Sequence, residues 1–166
     1  ILHQPLEALN SSLDLGPGGI LVEMDPEKKV EILRNNLASL PQVKGINNHM
    51  GSRATEDPET MAQILQVVKD LDLFFVDSHT TSGSIVSKVA QNLGVPFGVN
   101  NLFIDNESDV EKIKEQVRKG INLAKKQGHA VIIGHVRTAT AVAFWEMIPE
   151  FSASEVALVP VSSLIH

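Results

Sequence analysis

The chain has 166 residues, 43% of them apolar, and 14 Lys and Arg against 20 Asp and Glu give a formal net charge of −6. That is the composition of a globular protein, and its acidity, with no basic cluster, argues against nucleic acid or an anionic membrane surface as a partner. No apolar run approaches the roughly 20 residues that span a bilayer, and the absence of cysteine removes disulfides, thiolate metal sites and cysteine nucleophiles, leaving His, Asp and Glu to hold any metal.

The length suits a single domain over residues 1–166. The chain opens on Ile1-Leu2, which reads as a strand with no initiator Met before it, so further sequence, including an N-terminal strand, is expected upstream. Strands are then predicted at Ile20 to Val22, Val43 to Ile46, Leu73 to Val76, Phe97 to Val99, Ala130 to Ile133 and Val156 to Val159, as short apolar runs buried on both faces. Helices fall between them. Two begin with the same Asp-Pro-Glu, at Asp25 and Asp57, where Asp suits the N-cap, Pro the first turn and Glu the positive end of the dipole. Val30, Leu33, Leu37 and Leu40 stripe the first, and Met61, Ile64, Leu65 and Val68 the second. A third is predicted from Ser84 to Leu93, stopped by Gly94, and the longest from Ser108 to Gln127, stopped by Gly128. A last one over Ala139 to Ile148 is expected to bury Trp145 with Ala141 and Ile148. Repeated β–α alternation implies an α/β fold with a parallel sheet, open or rolled into a barrel. A full eightfold barrel needs about 250 residues, so a smaller or incomplete barrel is expected.

The chemistry-bearing residues follow the strands. Ile1-Leu2 runs into His3, Val43 to Ile46 into Asn47-Asn48-His49, Leu73 to Val76 into Asp77-Ser78-His79, and Ala130 to Ile133 into Gly134-His135. In parallel α/β folds the carboxyl ends of strands share one rim, where active sites are built. The set therefore suggests a His-rich metal or acid–base site. Taken singly, each such His is more often a turn residue. His129 precedes its strand and reads as structural, and His166 is terminal and carries no signal. Gly16-Pro17-Gly18-Gly19 lacks the Gly-Lys-Ser/Thr ending of a P-loop and reads as a turn. Ser82 and Ser84 lack the surroundings of a nucleophile elbow, and the charged residues from Glu107 to Lys126 read as a solvated helix face.

The element Asn47-Asn48-His49-Met50-Gly51-Ser52, with His3-Gln4-Pro5 before it and Asp77-Ser78-His79-Thr80-Thr81-Ser82 and Ile133-Gly134-His135 after it, resembles the divergent polysaccharide deacetylase family over nearly the whole chain. The resemblance implies a distorted (β/α) barrel and a divalent metal, usually zinc. It also implies an activity that removes N-acetyl or other acyl groups from saccharides, and an exported protein at the cell envelope. It makes His3 and His49 the imidazole metal ligands, with the third ligand and catalytic base on an Asp-Asp pair expected on a strand before Ile1. It makes His135 the general acid, Asp77 the carboxylate that orients it, and Arg53 a residue that positions the base. Asn48, Ser78 and His79 are candidate substrate-binding residues beside them. With no Tyr, one Trp and six Phe, the chain offers few aromatic platforms for sugar stacking. The rival expectation is a non-catalytic carbohydrate-binding or envelope scaffold protein on the same barrel. An enzyme acting on a phosphorylated metabolite is disfavoured by the lack of a phosphate loop.

Overall fold

The computed structural model describes residues 1–165, so His166 lies outside the described residues. The protein has an α/β fold whose paired strands are all parallel. It divides into two compact units, Ile1–Val99 joined by Ile165, and Asn100–Leu164.

In the first unit β1 (Leu2–Leu6), β2 (Gly45–Met50), β3 (Phe74–Asp77) and β4 (Phe97–Val99) form one sheet in that order. The connections are α1 (Pro26–Ala38), α2 (Pro58–Asp70) and α3 (Val86–Leu93). Alternation along β1 buries Leu2, Gln4 and Leu6 and turns His3 outward. Leu6, Ile46 and Phe75 form a core with Leu33 of α1 and Met61 and Leu65 of α2, all fully buried. The two Asp-Pro starts differ in detail. Asp57 caps α2 by accepting from Thr60 N at 2.7 Å, whereas Asp25 stands at the N-cap of α1 with no side-chain cap bond. Leu40 lies beyond the end of α1 and is exposed, and Lys29 is buried instead, its Nζ donating to Thr60 Oγ1 at 3.0 Å. Gly94 stops α3 in the left-handed region, at φ 69°.

In the second unit β5 (Leu102–Phe103) pairs with β6 (Ile132–Ile133), and α4 (Val110–Gln127), α5 (Thr138–Glu146) and α6 (Ile148–Ala153) surround a separate core of Ile104, Ile113, Val117, Ala143 and Met147. No pairing among the described residues closes either sheet into a barrel, and no helix among them is long and apolar enough to cross a membrane.

Several predicted elements shift. Ile20 makes a single bridge to Leu6 rather than a strand, β5 is additional, and 156–159 forms no strand, with Leu158 and Val159 exposed. The last predicted helix is two helices. It turns Thr140, Ala143 and Met147 inward and leaves Trp145 76% exposed, because the buried Thr140 hydroxyl is drawn to a carboxylate in this unit.

The cap on α2 is separable from the core. Replacing Asp57 by Ala is expected to lower stability by about 1 kcal/mol, read as a fall in urea midpoint with unchanged slope. An unchanged midpoint would show that the cap bond contributes nothing net.

Candidate functional site

Parallel pairing sets β1 against β2 with His3 opposite Asn47 and Pro5 opposite His49. Residues opposite each other in a parallel pair share a face, as do residues two apart on one strand. His3, Asn47 and His49 therefore project from the same side of the sheet. The structure brings the two rings into contact: His49 Nδ1 lies 3.1 Å from His3 Nε2, with centroids 4.9 Å apart and planes at 65°. Two imidazole nitrogens bound to one tetrahedral zinc at about 2.1 Å would stand about 3.4 Å apart. The donors found here thus have the spacing and the chemistry for a shared cation. Among the described residues, no group of three or more His, Cys, Asp or Glu could hold a metal.

The residues around this pair build it. Asn47 Oδ1 meets His3 Nδ1 at 2.9 Å, and Asn47 Nδ2 donates to Ser78 Oγ at 3.0 Å. Asn48, almost fully buried, accepts from Ser78 N at 2.8 Å and donates to Met50 O at 2.7 Å. Its carbonyl accepts from Ser78 Oγ at 2.7 Å. The side chains of Asn48 and Ser78, expected to bind substrate, are thus engaged in joining β2 to the end of β3. Met50 (φ 55°) and Gly51 (φ 91°) then turn the chain through the left-handed region. A Cβ on Gly51 would come within 3.1 Å of the Asn48 amide and 3.2 Å of Leu6. Ser52 Oγ accepts from Leu9 N at 2.9 Å.

Arg53 is clamped by two carboxylates, donating to Glu7 and to Glu23 at 2.7 Å each. Glu7 also accepts from Val22 N at 2.7 Å, so the Arg53 guanidinium ties the end of β1 to the loop that follows it. Asp77 is buried. Its carboxylate accepts from the Ser84 hydroxyl at 2.6 Å and from His79 N at 2.8 Å, which organises the loop after β3. His79 itself is exposed, with φ 54°.

In the second unit the His135 ring has a carboxylate partner that the sequence did not single out. Nδ1 of His135 lies 2.8 Å from Asp105 Oδ1, where the resemblance had implied Asp77. Asp105 is fully buried at the end of β5, and its other oxygen accepts from His135 N at 2.6 Å and from the Thr140 hydroxyl at 2.7 Å. Burial pushes the Asp105 carboxyl up, but hydrogen bonds from the His135 ring, Thr140 and the His135 backbone outweigh it and hold the group below its ordinary value of 3.8. Arg137 Nη1 donates to the Asp105 carbonyl at 2.8 Å. Hydropathy could not reveal Asp105, since β5 has only two residues. Asn47 was within reach, because it stands two positions before His49 and period-two alternation puts both on one face.

A sequence model described as divergent polysaccharide deacetylase matches residues 1–165. An uncharacterized protein of Haemophilus influenzae is 30% identical over 140 residues, covering 84% of this chain and 50% of that protein. The uncharacterized protein YibQ of Escherichia coli is 30% identical over 166 residues, covering 100% of this chain and 51% of its own length. The chain thus spans about half the length of the curated relatives it matches. A crystal structure of an uncharacterized protein from Agrobacterium tumefaciens shares the fold, with a TM-score of 0.95 at 19% identity, covering 99% of this chain and 67% of that one.

The Asp105 network makes a pH-resolved prediction. Asp105→Asn places an amide against groups that donate, and is expected to cost about 1–3 kcal/mol near neutral pH. The wild-type carboxylate has a lowered folded pKa, so its stabilisation is complete above the unfolded value and is lost as pH falls through the folded one. Urea midpoints of wild type and variant should therefore converge below pH 3.8. A gap that failed to narrow as the pH was taken well below 3.8 would contradict the assignment.

Proposed function

Because the chain belongs to the divergent polysaccharide deacetylase family, we propose that it forms part of a metal-dependent hydrolase that removes acyl groups, N-acetyl foremost, from a saccharide at the cell envelope. The observation that carries this reading is the meeting of His3 Nε2 and His49 Nδ1 at 3.1 Å on one face of the sheet. Those nitrogens would hold a divalent metal, zinc by the chemistry of the donors. When bound, such an ion polarises an acyl carbonyl and lowers the pKa of its water toward about 7.

The remaining roles fall to side chains. The Asn47 amide orients the His3 ring through Nδ1. The resemblance gives His135 the role of general acid. Its Nδ1 is engaged by Asp105, which leaves Nε2 as the atom that gives the proton up. Hydrogen bonds from the His135 ring, Thr140 and the His135 backbone outweigh burial and hold the Asp105 carboxyl below its ordinary value, which favours its ionised form. Two imidazoles are one short of the three protein ligands common in hydrolytic zinc sites. We assign the third to an aspartate beyond these residues. The second reading is a saccharide-binding protein without turnover.

Purified full-length protein should contain close to one equivalent of zinc by elemental analysis and release acetate from N-acetylated oligosaccharides. His49→Ala and His3→Ala should each abolish both signals while the circular dichroism spectrum is retained. Metal bound without acyl release from any acylated glycan would favour the binding protein. Zinc retained in His49→Ala would remove the ligand assignment.

A further inference from the structure

The hydrogen bonds behind His3 have a direction, and the backbone sets it. Ser78 N can only donate, so the Asn48 atom facing it at 2.8 Å is the oxygen. Met50 O can only accept, so the Asn48 atom facing it at 2.7 Å is the nitrogen. The Asn48 amide is therefore locked. The single hydroxyl hydrogen of Ser78 is committed to the Asn48 carbonyl at 2.7 Å. Toward Asn47, at 3.0 Å, Ser78 Oγ has only a lone pair left and must accept. That forces the Asn47 Nδ2 toward Ser78 and its Oδ1 toward His3, at 2.9 Å from Nδ1. An amide oxygen cannot donate, so neutral His3 carries its hydrogen on Nδ1. Its Nε2 is then a bare lone pair, and His49 Nδ1, 3.1 Å away, is the donor to it when no ion is present.

From these bonds we infer that Asn47 is a positioning residue that holds His3 in the Nδ1–H tautomer, so that Nε2 is presented as a lone pair to whatever His3 and His49 share. The tautomer stands on the hydrogen bonds alone; its consequence for metal binding rests on the hydrolase reading above. Successive bonds in one direction also polarise one another, which makes the His3 Nε2 a better electron-pair donor than an isolated imidazole. A partner behind a ligating imidazole that fixes its tautomer is typically worth roughly 10- to 100-fold in metal affinity. Ser78 acts one bond further back. Without its committed hydroxyl, the Asn47 amide is able to turn over and offer its NH2 to His3, which would favour the opposite tautomer.

The test is long-range 15N–1H correlation NMR on the metal-free full chain labelled at histidine, at a pH of about 8, where an ordinary imidazole is neutral. Wild-type His3 should show a protonated Nδ1 and an unprotonated Nε2. Asn47→Leu, which removes the acceptor at similar size, should move His3 toward the Nε2–H form. Asn47→Asp, which keeps an oxygen facing Nδ1, should restore the wild-type pattern. Ser78→Ala leaves both rings and Asn47 in place and should give a mixture, so the inference stays falsifiable if the leucine variant does not fold. Titration with zinc alone should show affinity reduced roughly 10- to 100-fold in Asn47→Leu and recovered in Asn47→Asp. A wild-type His3 protonated on Nε2, or an Nδ1–H pattern that survives both Asn47→Leu and Ser78→Ala, would overturn the inference. If the tautomer switches as expected but wild type takes up no zinc, the positioning role stands and the hydrolase reading falls.

Discussion

The candidate site depends on the register of one pair of strands. His3 meets His49 only because β1 lies against β2 with His3 opposite Asn47. A slip of one residue would turn every β1 side chain to the other face, sending His3 into the helix-covered layer and Gln4 out of it. The register is held from the opposite side of the sheet. There Leu2 and Leu6 are buried, and the fully buried Gln4 amide accepts from Asn36 at 2.8 Å and donates to Gly18 O and Pro5 O at 2.9 Å each. Displacing Gln4 would strand a buried amide, which is costly. Gly18 permits this closeness, since a Cβ there would meet the Asn36 side chain at 2.6 Å.

The same economy runs through the segment from Asn47 to Ser52. Asn47 orients His3, Asn48 joins β2 to the end of β3, and His49 offers a ring nitrogen. Met50 and Gly51 turn the chain through the left-handed region, and Ser52 fastens the loop after β1. Buried polar groups raise local cost unless they are satisfied, and a satisfied network specifies a single arrangement. Among the described residues the one buried side-chain atom without a partner is Gln63 Oε1, on α2. In the second unit, Asp105 does comparable work, receiving three hydrogen bonds while almost nothing of it reaches solvent. A carboxylate so placed is both an anchor for β5 and α5 and a fixed orienting group for His135.

Much of this was legible in the amino-acid order. The helix starts at Pro26 and Pro58, the glycine stops at 94 and 128, and the parallel α/β class all follow from local rules about caps, φ angles and apolar period, which act within a few residues. The pairing of His3 with His49 as a working set came from the resemblance carried by the hexapeptide at Asn47 to Ser52, together with the expectation that strand ends gather. Errors arose where a local pattern had two solutions. The helix after β6 has apolar residues on more than one face. Which face turns inward was decided by Thr140 reaching Asp105, a contact spanning 35 positions.

Composition and periodicity alone therefore placed most of the helices and four of the strands of the first sheet, and set which residue types were available for chemistry, because those are properties of neighbouring residues. Tertiary structure alone assigned partners: Asp105 rather than Asp77 to the His135 Nδ1, two carboxylates to Arg53, and Asn47 with Ser78 to His3. Hydrogen bonds are directional and short, and a chain brings distant atoms within about 3 Å only through the register of its strands and the exits of its turns. No local rule encodes that arrangement.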